Sequence, residues 1–143
     1  MAFLDQALDD LNRKKAGTYA LLKNWSGHLE STAKINAPWT DRTGNTRQGL
    51  NSDVEDKGEE LVLFLAHSQQ TGEYLEEGTG LHGPKHKKYV IRPKNKKALF
   101  WGGARHPVKE IHHPGMKARP VIEPTLNDNL DGIKQTIRDL WEV

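Results

Sequence analysis

Not one of the 143 residues is a cysteine. That removes disulfide scaffolds, thiolate zinc sites and cysteine nucleophiles together, and it agrees with a chain made in a reducing cytosol. Serine is scarce. Ser26, Ser31, Ser52 and Ser68 are the only ones, and none sits in the nucleophile turn of a serine hydrolase. Long apolar runs are missing as well. The longest, Leu61 to Ala66, falls far short of the ~20 residues needed to span a bilayer. The N-terminus opens on an acidic amphipathic pattern, not on a basic stretch ahead of an apolar core. No signal peptide and no membrane partner are therefore expected. The length predicts one domain over 1–143, large enough to fold without a metal or cross-link.

Negative charge is nearly absent from one stretch. Between Gly80 and Arg119 lie Lys85, Lys87, Lys88, Arg92, Lys94, Lys96, Lys97, Arg105, Lys109, Lys117 and Arg119, opposed by Glu110 alone. That stretch carries +10 and the remainder −8, which gives the net +2. Such a polarised chain can pair head-to-tail with its own copies or offer its basic end to nucleic acid. The same lysines also serve as a solvated hairpin edge that discourages aggregation.

Apolar residues at Leu4, Ala7, Leu8, Leu11, Leu22, Trp25, Leu29 and Ala33 follow a 3.6-residue period. They predict one N-terminal helix about 45 Å long, with Gly17 and Gly27 as places to bend. Pro38 ends it. The polar stretch 38–60 reads as a mobile loop, with Thr46 to Val54 a candidate strand, that orders on assembly. Glu60 to His67 reads as a central strand buried on both faces. Gln69 to Glu77 predicts a short helix stopped by Gly78. Tyr89–Arg92 and Ala98–Trp101 flank a Pro93–Lys96 turn, so a basic hairpin is expected over about 88–101. Val108 to His112 adds a strand. Pro120 leads into a last helix with a stripe of Ile122, Leu126, Leu130, Ile133, Ile137, Leu140 and Trp141. The expected class is α+β: a small antiparallel sheet with a long N-terminal helix and a C-terminal helix packed on one face.

The chemistry-bearing residues form no recognisable reaction centre. His82, His86, His106, His112 and His113 invite a metal site, but adjacent histidines on a strand point to opposite faces. A metal-dependent nuclease would need a ligand set that the spacing does not provide. TGLHGPKHKK lacks the Gly-Lys-Ser/Thr ending of a phosphate loop, although its lysines suit phosphate contacts. Glu73, Glu76 and Glu77 share a helix face. They read as a solvated face or as acidic contacts for a neighbour's lysines. Trp25 and Trp141 fall on helix stripes and are expected in the core. Trp39, ahead of a polar stretch, is the expected interface anchor.

Four blocks in order carry a resemblance. APWTDRTGNTRQGL, SQQTGEYLEEGTG, VIRPKNKKALFW and HHPGMKARPVIEPTL together resemble the tail-completion or minor head–tail joining family of long-tailed bacteriophages. The likeness covers roughly 37–126, and the N-terminal helix agrees in kind. It implies a non-enzymatic virion protein without a cofactor, made in the host cytoplasm and placed in the neck on the tail side of the connector. It further implies a ring, expected to be a hexamer, touching connector or stopper and tail-terminator proteins, with non-specific contact to genomic DNA. Trp39, Thr40, Asp41, Arg42, Thr43 and Gly44 become candidate ring or docking contacts, or else Asp41 and Arg42 staple the loop to the body. The competing expectation is a small basic nucleic-acid-binding protein using Lys85 to Lys97, and after it the nuclease.

Overall fold

The computed structural model describes residues 2–41, 43–92, 107 and 109–142. The class is α+β. The chain divides into two compact units. One comprises Met1–Gly72 with Val121–Val143, the other Glu73–Pro120.

The first unit is built on helix α1, Ala2–Asn36, which runs unbroken through both glycines. A four-residue helix α2, Asn45–Gln48, leads into strand β1, Leu50–Asp56. Strand β2, Leu61–His67, returns antiparallel, with Leu50 opposite His67 and Val54 opposite Leu63. Helix α4, Ile122–Trp141, closes the unit against α1. Leu22 and Leu29 of α1, Val54 of β1 and Ile133 of α4 form the core. Leu61, Leu63, Leu126 and Ile137 pack around them. At about 25 cal/mol per Å² of apolar surface, this shared burial is what holds helices to sheet.

Two expectations change here. The stretch 38–60 is not all loop: Asn45–Gln48 is α2 and Leu50–Asp56 is β1, which overlaps the candidate strand Thr46–Val54 and is paired along its length to β2. Its polar character reflects one-sided burial: Leu50 and Val54 turn inward while Asp53, Glu55 and Asp56 face solvent. Nor is β2 buried on both faces. Leu65 is buried and Phe64 is exposed, because helices cover only one side of a two-stranded sheet.

The two long helices run antiparallel, and polar side chains fix their register. The Trp25 indole N–H donates to Thr136 Oγ1 at 2.9 Å, and that of Trp141 to Thr18 Oγ1 at 2.9 Å. Trp25 is half-buried against the core. Trp141 is not core: it is 40% exposed, lying at the end of α4 with Lys14 over its ring. Gly132 leaves room for Trp25, since a Cβ there would stand 3.0 Å from the indole edge.

The second unit takes in most of α3, Gln70–Glu77, which stops at Gly78 as its sequence predicts. A single 3₁₀ turn, Gly80–His82, follows. Strand β3, Tyr89–Ile91, pairs antiparallel with β4, Ile111–His113, setting Val90 opposite His112. One sheet was expected, and among the described residues there are two two-stranded sheets. The Ala98–Trp101 strand and its Pro93–Lys96 turn lie outside the described residues.

Two of the three glycines of the helix pair should respond differently to alanine. Gly27 has nothing within 4 Å of a Cβ position, so Gly27→Ala should stabilise by about 1 kcal/mol through helix propensity. Gly132→Ala should forfeit that gain by pushing Trp25 off α4. Urea unfolding of both variants checks this, and a stabilised Gly132→Ala would show that Trp25 yields freely.

Candidate functional site

The first resembling block lies where α1 gives way to α2. Trp39 is 9% exposed, so it is enclosed within its own unit and is not a surface anchor. Its indole N–H donates to Asp41 Oδ1 at 3.1 Å, and its ring meets that of His67 at 6.0 Å. The organising side chain is Arg47 of α2. Its Nε donates to Asp41 Oδ2 at 2.6 Å. One terminal nitrogen donates to the Trp39 carbonyl at 2.9 Å and the other to the Lys34 carbonyl. The guanidinium also stands 5.7 Å from the Trp39 ring centre. A planar fork with several donors suits three acceptors at once, including a carbonyl in the last turn of α1. The chain after α1 is thereby stapled down.

The staple was foreseen for Asp41 with Arg42. Arg42 lies outside the described residues, and Asp41 pairs with Arg47. Thr40 and Thr43 are exposed, and Gly44 is half-buried at φ 78° ahead of α2. Sequence reading missed Arg47, although it stands in the same block, in the Thr-Arg-Gln-Gly sequence.

The second and fourth blocks meet in the second unit. Thr79 N–H donates to the Met116 carbonyl at 2.9 Å, and Leu81 N–H to the Pro114 carbonyl at 2.7 Å. Met116 N–H donates to Thr79 Oγ1 at 3.0 Å, and Arg119 N–H to the Leu75 carbonyl at 2.5 Å. The two backbones approach too closely for side chains. At Gly80, φ is 60° and a Cβ would stand 2.4 Å from the Pro114 carbonyl oxygen. At Gly115, φ is 93° and a Cβ would stand 2.0 Å from that of Thr79. Only glycine fits either place. Gly-Thr-Gly and His-Pro-Gly therefore form one clasp.

The basic stretch is held between the two halves of this clasp. Lys85, Lys87 and Lys88 are exposed just before β3. Arg92 follows β3, with its Nε 3.2 Å from Glu110 Oε2. Glu110 also takes His112 Nε2 at 3.3 Å. His112 first, and then Arg92, hold the Glu110 carboxyl below its ordinary range. Lys94, Lys96 and Lys97 lie outside the described residues. Tyr89 stacks on His113 at 4.9 Å.

Glu73, Glu76 and Glu77 lie on α3 at one-turn spacing, with Glu73 and Glu77 exposed and Glu76 half-buried. No group of three or more His, Asp or Glu side chains converges on a metal-sized space among the described residues. An open groove of about 380 Å³ beside Trp25 is lined by Leu21, Asn24, His28 and Thr136. Trp25 and Thr136 are bonded to each other across it, and His28 Nε2 lies 3.2 Å from Asn129 Oδ1. No protein-family model, curated protein or solved structure matches the chain.

Arg47→Ala should lower stability by about 1–3 kcal/mol, because it removes the donor to Asp41 Oδ2 and to two carbonyls. Arg47→Lys should recover little of this, since an ammonium cannot serve the same three acceptors. Denaturant midpoints test both. Gly115→Ala should open the clasp. The expected readout is loss of hydrogen-exchange protection at Thr79, Leu81 and Met116, with the amides of α1 and β1 unchanged.

Proposed function

We propose that the chain is a structural subunit of a bacteriophage neck, completing the tail and joining it to the head as part of a ring on the tail side of the connector. The observation that carries this reading is what the resembling blocks do. The Gly-Thr-Gly and His-Pro-Gly blocks interlock backbone to backbone, and the Pro-Trp-Thr-Asp block is fastened through Trp39, Asp41 and Arg47. These residues fix shape. A protein that works by fitting between other subunits needs rigid surfaces of this kind.

The charge split supports the same reading. Rings form through heterologous interfaces, in which one surface meets a different surface of the next copy. A basic stretch of +10 and a remainder of −8 provide two unlike surfaces. A hexamer is the proposed ring, in contact with connector or stopper and tail-terminator proteins. The exposed Lys85, Lys87 and Lys88 are available for non-specific contact with the phosphates of DNA passing the neck. The working location is the virion, after synthesis in the host cytoplasm.

A second reading, a small nucleic-acid-binding protein, rests on those same lysines with half-exposed Tyr89 beside them. Two measurements separate the readings. Mass spectrometry of purified particles should find the chain in the neck, and particles lacking it should accumulate as separate heads and tails that the purified protein joins. Absence from particles, with joining unaffected, would overturn the proposal. DNA titration at two salt concentrations should give weak, steeply salt-dependent binding. Tight binding by a protein absent from particles would favour the second reading instead.

A further inference from the structure

Helix α1 carries more apolar stripe than its own unit covers. At 100° per residue, Leu4, Leu8 and Leu11 line up with Leu22, Leu29 and Ala33. The latter three are buried. Leu4, Leu8 and Leu11 are each at least half exposed, and Phe3 at the stripe's edge is 80% exposed. The physical reason is where α4 ends. Its last turn lies beside Gly17 and Thr18, where Leu140 and Trp141 make their contacts. The part of α1 from Phe3 to Arg13, about 15 Å of helix, extends past it. An apolar stripe continuous with a packed one and left open to solvent marks an interaction surface.

Charge selects the occupant. Asp5 flanks the stripe, and Asp9 and Asp10 lie farther round the helix on either side, with no basic residue before Arg13. A second copy of the same helix end is a poor match. Setting Leu4 against Leu11 of an antiparallel copy brings like flanks together, with Asp5 beside the Asp9 side of the copy, like charge on like. The fitting surface is apolar and basic. The chain itself carries one: Leu81, Tyr89 and Val90 are exposed among Lys85, Lys87, Lys88 and Arg92.

We infer that the acidic N-terminal end of α1 docks onto the Leu81–Arg92 surface of a second copy, forming the head-to-tail contact by which copies assemble. The inference rests on the reading of the chain as a ring-forming subunit and names the two faces that meet. Apolar contact supplies affinity, and the opposed charges set orientation and exclude the helix-to-helix pairing. Because the two faces differ, each copy retains one unused face after pairing, so the contact propagates around a ring.

The missing cysteine makes the test clean. Ala7→Cys and Val90→Cys are placed in separate full-length chains, mixed and oxidised. A 1:1 disulfide-linked heterodimer should form several-fold more readily than either homodimer, and more than with a control at exposed Asn127→Cys on α4. Adding Asp9→Lys and Asp10→Lys to the Ala7→Cys chain should reduce the yield several-fold, as should high salt. Circular dichroism establishes that each variant is folded. Equal cross-linking of Ala7→Cys with itself would overturn the inference in favour of paired helix ends. A heterodimer yield no higher than with the Asn127→Cys control would also overturn it. Neither result bears on the presence of the chain in virions, so failure of this contact is distinguishable from failure of the neck reading.

Discussion

Burial of one stripe of α1 is the constraint from which the first unit follows. Leu22 and Leu29 must leave water, and β1, β2 and α4 are the surfaces that let them. Neither partner surface is self-sufficient. A two-stranded sheet is marginal alone, and an amphipathic helix derives most of its stability from what it packs against. The bonds from Trp25 to Thr136 and from Trp141 to Thr18 add little net energy, but they select one sliding position of α4 along α1. That position decides how much of α1 is left uncovered.

The second unit obeys a different rule. Its apolar content is small: Leu75 is its one buried large side chain among the described residues. Order comes from backbone bonds across the clasp, with β3 and β4 zipped beyond it. Glycine at Gly80 and Gly115 is the condition for those bonds, because any Cβ would hold the strands apart. Here the sequence signature is steric, whereas in the first unit it is periodic.

Much of this was legible from residues alone where a pattern is local. The 3.6-residue stripes gave α1 and α4, Gly78 gave the end of α3, and Leu61–Ala66 gave β2. What was not legible depends on distant partners. β1 is polar enough that only its first part fell within a candidate strand, Thr46–Val54, and its true bounds rest on pairing with β2. Among the described residues β3 pairs with β4, some twenty residues on, a pairing that no turn signal reveals. Trp39 was read outward because polar residues follow it. Arg47, eight positions later, provides the polar companions that let it turn inward. Asp41 and Arg42 were read as a staple to the body on the resemblance alone. One helical turn of α2 instead brings Arg47 back to Asp41.

Closing both ends of the basic stretch at a single clasp has an evolutionary consequence. The entropy of tethering a chain segment at its ends rises only by about 0.6 kcal/mol for each doubling of its length. Insertions and deletions between Pro93 and Lys109, past β3 and the exposed lysines before it, are therefore tolerable so long as the glycines at the base persist. Related chains would be free to carry differently sized, differently charged inserts on one conserved root, so that this is where divergence between lineages should concentrate.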